Sequence, residues 1–254
     1  SFMSFRSFRS FLALALLLAG CRASAPAAPP LNFEPVDHLL ESYRERGAFP
    51  GGVLAVGDRR RMLHLHPFGR LTWDADAPPV TAGTLYDLAS LTKVVATTTM
   101  AMILVDEGRL DLDQPVRELL PGFRGPGKEA VTVRHLLTHS SGLPAIVPLY
   151  KEVDLQGKTR VAFRERIEAL GFVDPTGSRS VYSDPGIILL GEILEQAAGQ
   201  PLEAFVRERI FAPLGMRDTQ FRPPPELRSR IAPTEFDPWR GRLVHGEVHD
   251  GRPV

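Results

Sequence analysis

Ser90 and Lys93 lie three residues apart in the stretch Tyr86-Asp87-Leu88-Ala89-Ser90-Leu91-Thr92-Lys93, at the start of a long helical pattern. Residues at i and i+3 of a helix share a face, so the hydroxyl and the amine can meet. A serine hydroxyl is a poor nucleophile at neutral pH; it needs a nearby base and a place for the charge that develops on the substrate. A lysine set in an apolar wall loses solvation, and its pKa is expected to fall toward the range of a useful base. A helix amino terminus adds a favourable dipole and a backbone N–H for an oxyanion. Alone the pair is a weak signal, because Ser90 equally suits a helix cap. Tyr182-Ser183-Asp184, immediately before an apolar run, offers a phenol that beside a cation could pass protons. Its residues equally suit packing, for Tyr182, and capping, for Ser183 and Asp184.

Several elements must position these groups. Val36, Leu39, Leu40 and Tyr43 predict a helix over 37–45. Strands are expected over 51–56 and 61–66, joined by a turn at Gly57-Asp58. His64 and His66 share one face of the second strand. With no carboxylate or third histidine nearby in sequence, they read as an exposed polar face and not as a metal pair.

A helix is predicted from about Ser90 to Glu107, stopped by Gly108, with Leu91, Val94, Val95, Thr98, Met102 and Val105 along one face. It is apolar nearly all round, which places it in the middle of the fold. Further helices are expected over 132–138, 161–170, 185–198 and 201–210. Asp184 is the expected N-cap of the third, Pro185 its first residue and Gly199 its stop. The rest reads as proline-rich loop. No internal repeat is present.

The 254 residues are 43% hydrophobic, enough for a buried core, and 30 basic residues balance 30 acidic ones. That balance gives no electrostatic basis for nucleic-acid binding. Arg6 and Arg9 precede an apolar run, Phe11 to Ala19, which leads into Leu18-Ala19-Gly20-Cys21. Residues 1–21 are expected to be a targeting segment and residues 22–34 an Ala/Pro-rich tether, with one domain from residue 35 to 254. With one cysteine, Cys21, no disulfide can form within the chain.

Three ordered stretches carry a family resemblance: Leu85 to Lys93, Leu136-Leu137-Thr138-His139-Ser140-Ser141-Gly142-Leu143-Pro144, and Tyr182-Ser183-Asp184-Pro185-Gly186. Together they resemble the serine β-lactamase and penicillin-binding-protein superfamily, nearest its class C-like branch of D,D-peptidases and esterases. Pro213 to Thr219 is similar to another stretch of that branch, and Leu18 to Cys21 resembles a bacterial lipobox. The resemblance implies an α+β fold, a helical subdomain beside an antiparallel sheet flanked by helices. It also implies a serine hydrolase working through an acyl-enzyme on an ester, β-lactam or peptide, with no metal or cofactor.

In that reading Ser90 is the nucleophile, Lys93 its base and proton relay, and Tyr182 the second acid–base residue. Asp184 stands where many members carry a substrate-binding asparagine. Aspartate accepts but does not donate, which leans the substrate toward esters. Cys21 would be lipidated and anchor the chain to a bacterial envelope membrane.

The family's third motif, Lys- or His-x-Gly on a strand, has no clear counterpart. Lys158-Thr159-Arg160 lacks the glycine, and His249-Asp250-Gly251 sits in a polar tail without a strand pattern. The sheet is therefore expected to be incomplete, as in a chain cut before its last strands. The competing expectation is a surface lipoprotein that keeps the fold as a binding or scaffold module without turnover.

Overall fold

The computed structural model describes residues 31–148, 160–238 and 240–248. They fall into two compact units: residues up to Phe49 with Leu54–His66, and Pro50–Val53 with Pro67 onward.

The first unit is built on helix α1 (Glu34–Glu45) and most of a two-stranded sheet, β1 (Gly51–Gly57) with β2 (Met62–Gly69). Pro35 opens α1, where its missing N–H costs nothing, so the helix starts earlier than its apolar spacing suggests. Val36, Leu39 and Tyr43 remain exposed, and no residue of α1 is buried. Asp58 makes the turn between the strands. Its N–H donates to the Arg61 carbonyl at 3.0 Å, and its carboxylate accepts from the amides of Arg60 and Arg61. The expected facing of β2 is corrected. Leu65 is exposed while His64 and His66 are half-buried, because Phe33, just before α1, stacks on the His64 ring at 4.7 Å.

The second unit is organised around α6 (Asp184–Ala198), with α2 (Thr99–Asp106), α3 (Val116–Leu119), α4 (Val133–Leu137) and α5 (Arg160–Glu168) completing its helices before it. Ile187, Leu189, Leu190, Ile193 and Leu194 of α6 are all buried. With them lie Met100 and Leu104 of α2, Leu136 of α4 and Ile167 of α5. Gly199, at φ +67°, takes the left-handed turn that ends α6. Helix α7 (Leu202–Val206) follows, and its Phe205 and Val206 close the core. Arg160 ties α5 to α6 through Glu192 and Glu195.

The helix after Ser90 departs from expectation twice. Its first part, Lys93–Thr98, is wound as a π-helix before α2 continues the rod. Only one face is buried, carrying Ala96, Thr97, Met100, Ala101 and Leu104. Leu91, Val94 and Met102, assigned to the inner face by their spacing, are each about 60% exposed (59%, 63% and 65%). A helix apolar on all sides carries no pattern to say which side turns inward, and the central place belongs to α6.

The loop-like tail holds a second small sheet, β3 (Phe236–Asp237) antiparallel to β4 (Arg242–Leu243), after a 3-10 turn over Pro225–Arg230. One parallel bridge ties Leu85 to Ile231. The fold class is thus α+β, as expected, with the sheet among the described residues in two separate two-stranded pieces.

Candidate active site

Ser90 sits in a turn made by its own neighbours. Asp87 accepts the Ala89 N–H at 2.8 Å, and Ala89 is held at φ +44°, the left-handed region that costs a residue with a Cβ. The amides of Leu91, Thr92 and Lys93 donate back to Leu88, Ala89 and Ser90. Among the described residues the Ser90 N–H has no such acceptor, while the amides on both sides of it do. A free amide beside an exposed hydroxyl suits an oxyanion that forms where the hydroxyl attacks.

Lys93 lies one turn on, and its Nζ donates to Ser90 Oγ at 3.0 Å. The same ammonium is 2.9 Å from Asp184 Oδ1, with both side chains largely buried, and lies 5.0 Å from the centroid of the Tyr182 ring. Four sequence-derived residues, Ser90, Lys93, Tyr182 and Asp184, therefore meet in one place.

The Lys93 pKa corrects an expectation. Burial does pull it down and is the largest single influence. Hydrogen bonds to Tyr182 and Asp184, together with their charges, outweigh burial and raise it above 10.5. Lys93 is thus held as an ammonium at neutral pH. It is placed to polarise the Ser90 hydroxyl, and could take that proton only by passing one onward.

Two loops clasp each other to position Tyr182 and Asp184. Ser183 is the N-cap of α6, displacing Asp184 from the expected role: its hydroxyl accepts the Gly186 N–H and donates to the Pro144 carbonyl at 2.8 Å. Asp184 becomes the first helical residue, free to turn its carboxylate to Lys93, and its N–H donates to Ala145. Val181 donates to the His139 carbonyl, and the Ser180 hydroxyl to that of Thr138. Gly142 allows this close approach. At φ +88°, a Cβ there would fall 2.2 Å from the Asp174 carbonyl oxygen.

His139 is the residue that sequence reasoning left without a role. Its Nδ1 accepts the Ser183 N–H at 3.1 Å, and its ring lies against Tyr182, centroids 4.7 Å apart. Burial and the Lys93 charge lower its pKa below 6.5, which keeps the acceptor nitrogen unprotonated. The available signal was a histidine between a helix end and a Gly-Leu-Pro turn, with nothing in its spacing to single it out.

Cys21 and the segment before it, Lys158-Thr159, and His249-Asp250-Gly251 lie outside the described residues. No helix among the described residues is long and apolar enough to cross a membrane.

A serine and lysine at the head of a helix, faced by a Tyr-Ser-Asp loop, define a class. The chain matches the Beta-lactamase family over residues 36–252 and belongs to that family. Among curated proteins it is 31% identical to an N-acetylmuramyl-L-alanine amidase of Bacillus subtilis, across 85% of this chain and 55% of that one. It is 34% identical to a putative D-alanyl-D-alanine carboxypeptidase of Escherichia coli K12, across 67% of this chain and 44% of that one. Among solved structures, a class C beta-lactamase superposes with a TM-score of 0.69 at 25% identity, over 84% of this chain and 56% of its own. An octameric penicillin-binding protein homologue from Pyrococcus abyssi gives 0.68 at 29% identity, over 85% and 50%. The chain spans about half the length of these relatives.

Proposed function

We propose that this protein is a serine hydrolase that works through an acyl-enzyme on an ester or amide. The observation that carries the reading is Ser90 Oγ at 3.0 Å from Lys93 Nζ, with Lys93 in turn 2.9 Å from Asp184. Ser90 attacks the substrate carbonyl and forms an ester bond to its acyl carbon, while the Ser90 N–H donates to the carbonyl oxygen as it becomes negative. The Ser90 proton passes to Lys93 as Lys93 gives one to the Asp184 carboxylate. Tyr182, 47% exposed with its ring centroid 5.0 Å from Lys93 Nζ, delivers its phenol proton to the leaving alcohol or amine and regains one from Lys93, which Asp184 reprotonates. Water then attacks the acyl-enzyme, and the same groups return the proton to Ser90.

The substrate classes in keeping with this site are esters, β-lactams and peptides ending in D-alanine, the last two named by the relatives. Asp184 favours esters. It presents a carboxylate, already engaged by Lys93, where an amide would donate to a peptide. No nucleic-acid partner, metal or cofactor enters this chemistry. Residues 35–254 form the hydrolase domain, behind a signal peptide over 1–21 and a tether over 22–34. Lipidation of Cys21 would hold the protein at a bacterial envelope membrane, facing the periplasm or the exterior. Labelled fatty acid should enter the wild type and not Cys21→Ser.

One observation favours a second reading, a module that binds without turnover: Lys93 Nζ is engaged by the Asp184 carboxylate at 2.9 Å, a pairing that favours its charged form. A panel of p-nitrophenyl esters, nitrocefin and D-Ala-D-Ala peptides separates the two. Turnover of any one substrate, lost in Ser90→Ala and in Lys93→Ala, supports the hydrolase. Saturable binding of a panel member with no turnover supports the module and ends the hydrolase reading.

A further inference from the structure

His64 and His66 gain a third partner in the fold. Residues i and i+2 of a strand point to one face, and the two imidazoles lie nearly parallel, 10° apart with centroids at 6.0 Å. Helix α1 crosses that face and delivers Asp37, distant in sequence, with Oδ1 at 2.8 Å from His64 Nε2. One ligand atom from each of Asp37, His64 and His66 lies within 4.8 Å of the other two. Ligand atoms on a common zinc ion, each at about 2.0–2.2 Å from the metal, stand roughly 3.3–3.6 Å apart. Small side-chain rotations therefore convert the observed cluster into a coordinating one.

The surroundings suit an ion as well. His64 and Asp37 keep 23% and 20% of their side-chain surface, enough to admit a cation and a water as fourth ligand. Phe33 stacks on His64 at 4.7 Å and 13°, fixing the ring plane. An open cleft lined by Asn32, Glu34, Arg61 and Met62 leads to Asp37 and His64. A helix tied to a strand by an ion pair alone would need only Asp37 and His64. His66, with its ring parallel to that of His64, completes a donor set of two imidazoles and one carboxylate.

We propose that Asp37, His64 and His66 form a binding site for a late first-row divalent cation of the zinc class, stapling α1 to β2. Imidazole nitrogen with one carboxylate selects such ions over magnesium or calcium, which take oxygen ligands. Binding replaces the proton shared between Asp37 and His64 with the metal, so the ligands bind as neutral imidazoles and a carboxylate. The site is independent of Ser90 chemistry, and its test does not depend on activity.

The tag-free full-length chain, stripped with EDTA, is titrated with CoCl2 while visible absorption is recorded, and then with ZnCl2 by calorimetry. One equivalent of cobalt should give ligand-field bands, without the near-ultraviolet sulfur band that a Cys21 adduct would give. Zinc should displace the cobalt at one equivalent. Zinc at 100 times its Kd should raise Tm by about 5–10 °C, and MgCl2 should not. Asp37→Asn, His64→Gln and His66→Gln should each weaken binding at least about tenfold. His66→Gln is the informative variant because it leaves the His64–Asp37 pair intact. Absence of a saturable cobalt spectrum in the wild type, or equal zinc affinity in wild type and His66→Gln, overturns the proposal.

Discussion

Lys93 concentrates the chemistry of this molecule in one ammonium group. It touches Ser90 Oγ and Asp184 Oδ1 at about the same distance, 3.0 and 2.9 Å. Asp184 and Tyr182 raise its pKa against the pull of burial. Replacing Asp184 by Asn removes the negative charge and leaves burial to act. The Lys93 pKa in Asp184→Asn should then fall, moving the descending limb of the kcat/KM profile, where the Lys93 ammonium is lost, to lower pH. A limb that stays in place would show that Asp184 does not set the charge of Lys93. Because the folded pKa of Lys93 is raised, the pair adds stability throughout the range below 10.5 and loses it as pH rises through the folded value. His139 has the opposite sign. Its pKa is lowered on folding, so the stability it contributes is present above 6.5 and is lost as pH falls from there through the folded value. His139→Gln should flatten that part of the Tm-against-pH curve. An unchanged slope between pH 7 and 5 would contradict the role given to His139.

Helix α6 and the two loops in front of it form the element on which the site is mounted. Leu190, fully buried in α6, should cost about 2–5 kcal/mol as Leu190→Ala in a denaturant titration, with little change in KM for the mutant that remains folded. A cost below about 1 kcal/mol would mean that α6 is not the centre of the core. Gly142→Ala drives a Cβ onto the Asp174 carbonyl and strains the loop that meets Ser183. It should lower both stability and kcat, whereas Leu190→Ala should lower stability alone; Tm and initial rates on the same preparations separate the two. These elements were only partly legible in the sequence. The existence of α4, α5 and α6 followed from spacing and from Gly199. The shift of the cap from Asp184 to Ser183 did not, because either residue can cap a helix and the choice was made by Pro144, 39 positions earlier in the chain. The face of the rod after Ser90 was misread for a related reason. Its apolar residues surround it, and packing against α6 and α7 decided which turned inward.

At the scale of the whole molecule, Ser90, Lys93, Tyr182 and Asp184 were legible because each sits in a short ordered stretch near a helix start. Residues that act through distant partners were not. Asp37 joins His64 across 27 positions, and His139 joins Ser183 across 44. Leu91, Val94, Met102 and Val105 leave apolar surface exposed on a chain of zero net charge, a combination that promotes association near neutral pH. Light scattering of the double variant Met102→Lys with Val105→Glu should fall below that of wild type at pH 7, since it breaks the patch away from Ser90. Equal scattering would assign the association to another surface.

Acylation of Ser90 is open to direct measurement by intact-protein and peptide mass spectrometry after incubation with a fluorophosphonate and, separately, with a penicillin. One adduct from at least one of these probes is expected, mapped to the peptide that carries Ser90 and lost in Ser90→Ala. A full-length protein unlabelled by both probes under conditions that label a control serine hydrolase, or an adduct on any other residue, would contradict it.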